Sequence, residues 1–505
     1  MDEMQLPKRI FFWTLVALFW LISGLILGYT FGYRFSFEKG IFIYGGSITI
    51  KTTPRTANVY LNGVLASGSF SQLNGAYHIS GVKPGKYLVE VKVDGYQDWS
   101  KNITVHSGIS TEFWNVFLVE NSYPKTSYDS AGIGRLFISP RENLAAFSEQ
   151  LENIFSVKVL DPKTSEIQSV FSSNEYVFTN DEKENIEWSP QAHRLIIPAS
   201  TRGDDRSSTQ GGPAEKEGEK NYFIVSLEEQ EILDLKNISQ LENLSHVRWD
   251  PKNKDIIFFM SNNELYRLDL KNIQNKKLIT GNIASYDLSQ KGLFYFQLPE
   301  GIVYRTDFDA SGSPMQITSS APENMQDNSY QIIVYDEDRI VFLNKNRELY
   351  IYNKGQENTY FRKLANNANG SQFSDDGKKL LYWTDNEIFT YFVRVWEVQP
   401  TRIENEIMSI TRFSSPIKNV QWTRDYEHAL FMNDNVVKMI EIDNRDNRNT
   451  KDVLKLNSGS VLIDNFSDGN LYFTDKNEQD QNSLFSIEFP RQTSLLQGFL
   501  PGTSN

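Results

Sequence analysis

The chain has 505 residues, 39% of them hydrophobic and 13% aromatic, which is enough to bury a large core and to form more than one domain. A formal net charge of −13 argues against a nucleic-acid partner, which calls for clustered Lys and Arg. With no cysteine, the sequence excludes disulfides, thiolate metal sites, a thiol nucleophile and a lipidated cysteine.

The first element is apolar. Ile10 to Gly32 carry no charge, long enough as a helix to cross about 30 Å of hydrocarbon. Trp13, Tyr29 and Tyr33 lie toward the ends, where amphipathic rings favour the membrane interface. Lys8 and Arg9 precede the run, and Arg34 and Lys39 follow it. The pattern predicts a cytoplasmic tail at 1–9, a transmembrane signal-anchor at 10–33, and everything later outside the cell membrane. The alternative is a cleaved signal peptide. Such peptides have apolar runs of about 7–15 residues and a small-x-small exit, whereas this exit reads Tyr29-Thr30-Phe31-Gly32. A buried core helix would need a polar face, which is missing.

Between 46 and 120 the period changes to two. Ser47–Thr52 alternates, Ala57–Leu61 runs into the tight-turn pair Asn62-Gly63, and Gly75–Ile79 forms a third run. Pro84-Gly85 marks a turn before Lys86–Val93, and Lys101–Val105 and Glu112–Val119 complete about six strands. A compact antiparallel β-sandwich or partly open barrel is expected. The stretch resembles the PEGA domain family in Ile48-Thr49-Ile50, Pro54, Val59-Tyr60-Leu61-Asn62-Gly63, Gly68, Lys83-Pro84-Gly85-Lys86-Tyr87, and Gly95-Tyr96 followed by Trp99. It departs from that family at the name-giving four residues, which read Pro54-Arg55-Thr56-Ala57. The resemblance implies a surface-associated accessory module that binds sugars or envelope components without catalytic residues. Tyr96 and Trp99, with Tyr87 and Trp114, are the candidate sugar-stacking residues; the other reading makes them β-formers packing the sheet.

From 125 to 495 a unit of about 46 residues recurs. Its anchors include Leu136–Pro140, Ile186–Pro190, Val247–Pro251, Ala284–Ser289, Ile333–Asp338, Ser371–Gly377, Val420–Asp425 and Ile463–Gly469. Each anchor is followed by a Ser/Asp/Pro/Gly turn, a hydrophobic strand such as Leu380–Trp383, a third strand such as Glu264–Leu268, and a weaker fourth. Four strands per unit predict a β-propeller of eight blades, or seven if a terminal unit is irregular. The punctuation resembles that of TolB-type and WD-like propellers. Trp188, Trp249 and Trp422 occupy equivalent positions and are read as inter-blade core.

Residues 201–221 hold no large apolar side chain and are read as a flexible insertion; they include Arg202-Gly203-Asp204. The stretches 441–452 and 475–482 read as solvated hairpin tips; Asp475, Asn477 and Asp480 resemble in outline a calcium loop that lacks its Gly and closing Glu. Residues 496–505 form a tail. No nucleophile elbow, phosphate loop or His pair at metal-ligand spacing occurs, so no catalytic residue, metal or cofactor is assigned. The expected function is a non-catalytic envelope module that binds protein or neutral glycan. The alternatives are an accessory subunit of an envelope assembly and an enzyme with its site on a propeller face.

Overall fold

The computed structural model describes residues 6–36, 40–140, 143–179, 181, 184–202, 218–319, 330–457 and 461–489. Most of the insertion (203–217), the first five residues and the tail at 496–505 therefore lie outside the described residues.

Helix α1 (Leu6–Thr30) contains a 22-residue span, Arg9–Thr30, none of it buried against the rest of the chain. At 1.5 Å per residue that span is about 33 Å long. It is not a core helix, and it is consistent with a membrane anchor or a signal sequence. A short hairpin follows, β1 (Tyr33–Ser36) against β2 (Ile41–Tyr44).

The small domain comprises β3 (Gly46–Thr53), β4 (Asn58–Leu61), β5 (Val64–Leu65), β6 (Ser69–Ser71), β7 (Ala76–Val82), β8 (Gly85–Lys92), β9 (Trp99–Val105) and β10 (Ser110–Phe117). They form two four-stranded sheets, ordered β10-β3-β7-β6 and β5-β4-β8-β9. Ile48, Ile50, Val89, Val91, Ile103 and Phe113 are buried between them. The Asn62-Gly63 turn forms as read, with φ of 52° and 77°, the two positive values a two-residue hairpin turn needs. Lys83-Pro84 joins β7 to β8. β7 and β8 belong to different sheets, so the pair makes a corner. One pairing departs from the antiparallel expectation: β10 lies parallel to β3. It arrives by crossing from the other sheet, so no hairpin constrains its direction.

After β11 (Thr126–Ser127) the chain builds blade 1 (133–173), blade 2 (176–234), blade 3 (244–280), blade 4 (283–316), blade 5 (331–365), blade 6 (370–412) and blade 7 (417–455). Each anchor read from the sequence falls on or abuts the first strand of its blade, except in blade 2, where Ile186–Pro190 falls on the separate short strand Glu187–Trp188 that follows Tyr176–Phe178. Blade 8 is composite. Its first three strands come from 462–488, and its outermost strand is β11. The last unit is thus irregular, yet the ring keeps eight blades because the start of the propeller supplies the missing strand.

Eight apolar cores close the ring, each shared by two consecutive blades. Trp188 with Phe155 joins blades 1 and 2, and Trp249 with Tyr222 joins blades 2 and 3. The series runs on through Tyr286, Phe342, Tyr382 and Trp422 to Phe473, and Phe147 with Tyr472 brings blade 8 back to blade 1. This explains why second strands read as unbroken apolar runs. In Leu380-Leu381-Tyr382, Leu380 and Tyr382 face blade 5 while Leu381 faces blade 7. A sheet buried on both faces has no polar side.

The turn punctuation has a shared physical cause. The anchor hydroxyl caps the amide five residues on, Ser139 for Leu144, Ser189 for Arg194 and Ser374 for Lys379. In blade 7 Thr423 takes this place and donates to the His428 carbonyl at 3.1 Å. A short polar side chain that bonds its own backbone is what turns the first strand into the second.

Candidate functional site

Trp99 is 2% exposed. Its indole N–H donates to Glu441 Oε2 at 2.9 Å, and its ring meets Phe113 edge-on at 5.1 Å. No face is left for a sugar. Tyr96 is half-buried, packs on the small-domain core and donates to Glu120 at 3.2 Å. Buried so, Trp99 offers no stacking face, while Tyr96 keeps part of its surface. Tyr87 is no nearer: it pairs with Ile103, four residues along β9 from Trp99, or about 13 Å.

What Trp99 serves instead is the joint between the small domain and blade 7. Lys101 is fully buried, and its three ammonium protons are matched by three acceptors: Glu441 Oε1 at 2.7 Å, the Asp443 carbonyl at 2.9 Å and the Asn447 carbonyl at 3.1 Å. Glu441 also accepts from the Asn449 amide at 2.6 Å. The amides of Ser100 and Asn102, on edge strand β9, donate to Asn449 at 3.3 Å and Asp446 at 2.8 Å. Those hydrogen bonds from Asn102 hold the Asp446 carboxyl below its ordinary range. On the other edge strand, β10, the Glu112 amide meets Gln399 at 3.1 Å, while Arg445 donates to the Glu112 carbonyl at 2.8 Å and lies 4.1 Å over Phe113. Two exposed sheet edges, a hazard for pairing with other chains, are thereby covered. A void of about 30 Å³ remains, lined in part by Trp99, Glu427 and Glu441, room for water rather than a ligand.

The segment 441–452 is thus the docking element, not a solvated tip. The reading of 475–482 also fails at Asp475, whose side chain is 2% exposed and bonded to Lys125 at 3.1 Å and to the Asn457 amide at 2.8 Å. Its carboxylate is committed to holding the blade 8 hairpin.

A second polar group gathers at the axis of the ring. First strands bond from blade to blade: the Val334 amide meets Asp287 at 2.7 Å and the Trp422 amide meets Gln372 at 2.9 Å. They line the centre, and the residue before the apolar anchor is polar in blades 2, 3, 4, 6 and 7. These residues include Glu187, Arg248, Asp287, Gln372 and Gln421. Arg248 Nε lies 2.5 Å from Glu187, and its Nη1 lies 3.9 Å from Asp287. Its side chain keeps 44% of its surface. Burial raises the carboxyls of Glu187 and Asp287, with Arg248 opposing in both. Glu184 adds a third carboxylate, accepting from the His246 amide at 3.1 Å. The cluster is net acidic, rich in acceptors for hydroxyl or ammonium donors. The sequence carried part of its signal, the charged Glu187, Arg248 and Asp287 beside apolar anchors, but the sides of the strand had no meaning until the ring was closed. Among the described residues, no three His, Asp or Glu side chains are gathered to hold a metal ion.

Residues 45–118 match the PEGA domain family. No curated protein matches the chain. Among solved structures, a eukaryotic initiation factor is 12% identical, with 73% of this chain and 89% of that one covered at a TM-score of 0.43. The β-propeller domain of Cps50 (Swd1) from Myceliophteria thermophila is 11% identical, with 72% and 100% covered at 0.42. An uncharacterized protein from Listeria monocytogenes is 9% identical, with 68% and 100% covered at 0.40. The chain is therefore similar to the PEGA family over its small domain, and its propeller rests on its own eight sheets and the cores between them.

Proposed function

We propose that this chain is a non-catalytic, single-pass protein of the bacterial cell envelope. In this reading α1 anchors it with the N-terminus in the cytoplasm, and the two β-domains stand outside as a rigid scaffold that presents the propeller to a protein or neutral glycan. The observation that carries the reading is the joint. A domain that only tethers needs a loose linker, whereas Lys101, fully buried on Glu441, holds the propeller at one orientation to the domain that follows the anchor. The acidic axial cluster is the preferred binding place, since carboxylates accept from sugar hydroxyls and from cationic peptide side chains while repelling anionic polymers.

The test has two arms. Full-length protein carrying a photo-crosslinking residue at position 248 is irradiated in intact cells. The soluble portion from Gly46 onward is screened against neutral glycans and peptidoglycan fragments for binding and for turnover. A discrete adduct, or saturable binding without turnover, is the expected result. Turnover would replace the scaffold with an enzyme, and neither adduct nor binding would remove the axial site.

A further inference from the structure

The hairpin β1–β2 has no counterpart among the functions considered so far. Its register sets Tyr33 opposite Tyr44 and Phe35 opposite Phe42, and the rings meet at 5.1 and 5.2 Å. All four aromatics therefore share one face, and they are 40–59% exposed. An exposed aromatic face on a soluble domain invites aggregation unless something covers it.

The hairpin is held in place. Its two ends are tied by the Gly45 amide to the Gly32 carbonyl at 2.8 Å, and Ser107 in the β9–β10 turn donates to the Tyr44 carbonyl at 2.8 Å. So fixed, it lies back along α1. Between them opens a groove of about 680 Å³, within the usual size of a ligand site. The helix wall is Gly24, Leu25, Gly28 and Tyr29, and the hairpin wall is Tyr33, Phe35 and Phe42. Gly24 lies six residues, or about 9 Å, below the end of the helix. In a helix that spans the bilayer, that depth is hydrocarbon at the outer leaflet. Among the described side chains lining the groove, the cation is Lys83, at the β7–β8 corner and solvent-exposed.

We propose that this groove binds one phospholipid of the outer leaflet, an acyl chain lying between α1 and the aromatic hairpin and the phosphate meeting Lys83. The proposal rests on the membrane reading of α1. Continuity with the spanning helix selects a lipid as the occupant, because the groove opens at acyl-chain depth. Aromatic rings beside it suit the interface, where amphipathic residues concentrate. The lipid covers the apolar face and, together with the joint at Lys101, fixes the height and tilt of the propeller over the membrane.

The experiment uses the full chain in nanodiscs containing phosphatidylglycerol with a diazirine in its acyl chain. After irradiation, labelled peptides are mapped. Label on both 10–30 and 31–44 is expected. Gly28→Leu should remove most of the hairpin label, since a Cβ built at Gly28 meets nothing within 4 Å and the larger side chain fills the groove without displacing protein. Lys83→Gln should lower hairpin labelling by phosphatidylglycerol about fivefold relative to phosphatidylcholine, the usual worth of one basic residue near an anionic surface. Label confined to the helix, or hairpin label unchanged in Gly28→Leu, overturns the groove and leaves the anchor standing. An unchanged lipid preference in Lys83→Gln overturns the headgroup contact. Absence of label from both segments defeats the membrane reading itself.

Discussion

At the scale of single residues, the recurrent tryptophan is a bond as well as a filler. Trp188, Trp249 and Trp422 each donate the indole N–H to a carbonyl of the preceding blade, at Phe137 (3.1 Å), Glu187 (3.2 Å) and Gln372 (3.0 Å). The acceptor is always the residue before the equivalent anchor position, so the contact repeats with the fold. Trp422→Ala should cost about 3–5 kcal/mol, as for other buried large aromatics, measured by denaturant unfolding of the soluble portion. A loss under about 1 kcal/mol would mean that blade 7 is not seated by this ring. Lys101→Met should cost about 3–5 kcal/mol by stranding the Glu441 carboxylate, and Lys101→Met with Glu441→Gln should recover much of it. An additive double variant would show that the pair is not coupled. His428 and Asp425 share a 2.8 Å contact in blade 7, with the His428 ring 6.0 Å from Phe117. Burial pulls His428 down, but the charge of Asp425, aided by Glu441 and Glu427, outweighs it and the net shift is upward. Burial likewise opposes ionisation of Asp425, yet His428 and the other donors hold it at about 2. A raised histidine stabilises below its unfolded value near 6.5 and loses that stability as pH rises through its folded value. The lowered aspartate stabilises above about 3.9 and loses that as pH falls toward 2. Thermal melts should therefore show a contribution from this pair that is full between about pH 4 and 6.5, fades above 6.5, and is absent at all pH values in His428→Leu.

At the scale of elements, the same hairpin device gives different outcomes according to what its tip meets. The ends of the insertion are already neighbours: the Thr201 amide bonds the Glu219 carbonyl at 3.0 Å, and the Glu219 amide bonds Thr201 Oγ1 at 2.9 Å. Replacing 203–217 by Asn-Gly should change stability by no more than about 2 kcal/mol, because only loop-closure entropy changes. A larger loss in calorimetry would show that the insertion packs on the ring. The 441–452 tip is the opposite case. Its Asp, Asn and Arg content reads as solvated, yet Asp443, Asp446, Asn447 and Asn449 all bond β9. Composition could not separate the two, because a polar loop that pairs with water and one that pairs with a strand edge use the same side chains.

At the scale of the whole molecule, the small domain and the propeller are one body. Phe117, Val119 and Tyr123 sit in the core between blades 7 and 8, and Phe117 stacks on Phe489 at 5.2 Å. Removing 46–120 would therefore open the ring's own core; a propeller prepared alone should begin at Phe117 or earlier. Under the proposed topology, protease added to spheroplasts should remove the whole body in one step by cutting near residue 40, with no stable propeller fragment freed by cleavage between the domains. Protection of both domains would reverse the orientation. An early stable fragment starting near 121–125 would contradict the joint.

The sequence by itself determined what depends on neighbours along the chain. Alternation, turn chemistry and the 23-residue uncharged run specify the helix, the strands and the repeat, because period, φ > 0 positions and apolar length are local properties. It also placed Trp188, Trp249 and Trp422 in the core, since equivalence across repeats implies equivalent burial. Only the tertiary structure decided how the ring closes, with β11 completing blade 8 from more than 330 residues away in sequence. It also decided that Trp99 and Lys101 face Glu441 rather than a ligand, and that Glu187, Arg248 and Asp287 meet at the axis. These are contacts between distant segments. A strand shows which of its residues alternate, but which side is core, joint or channel is set by what packs against it.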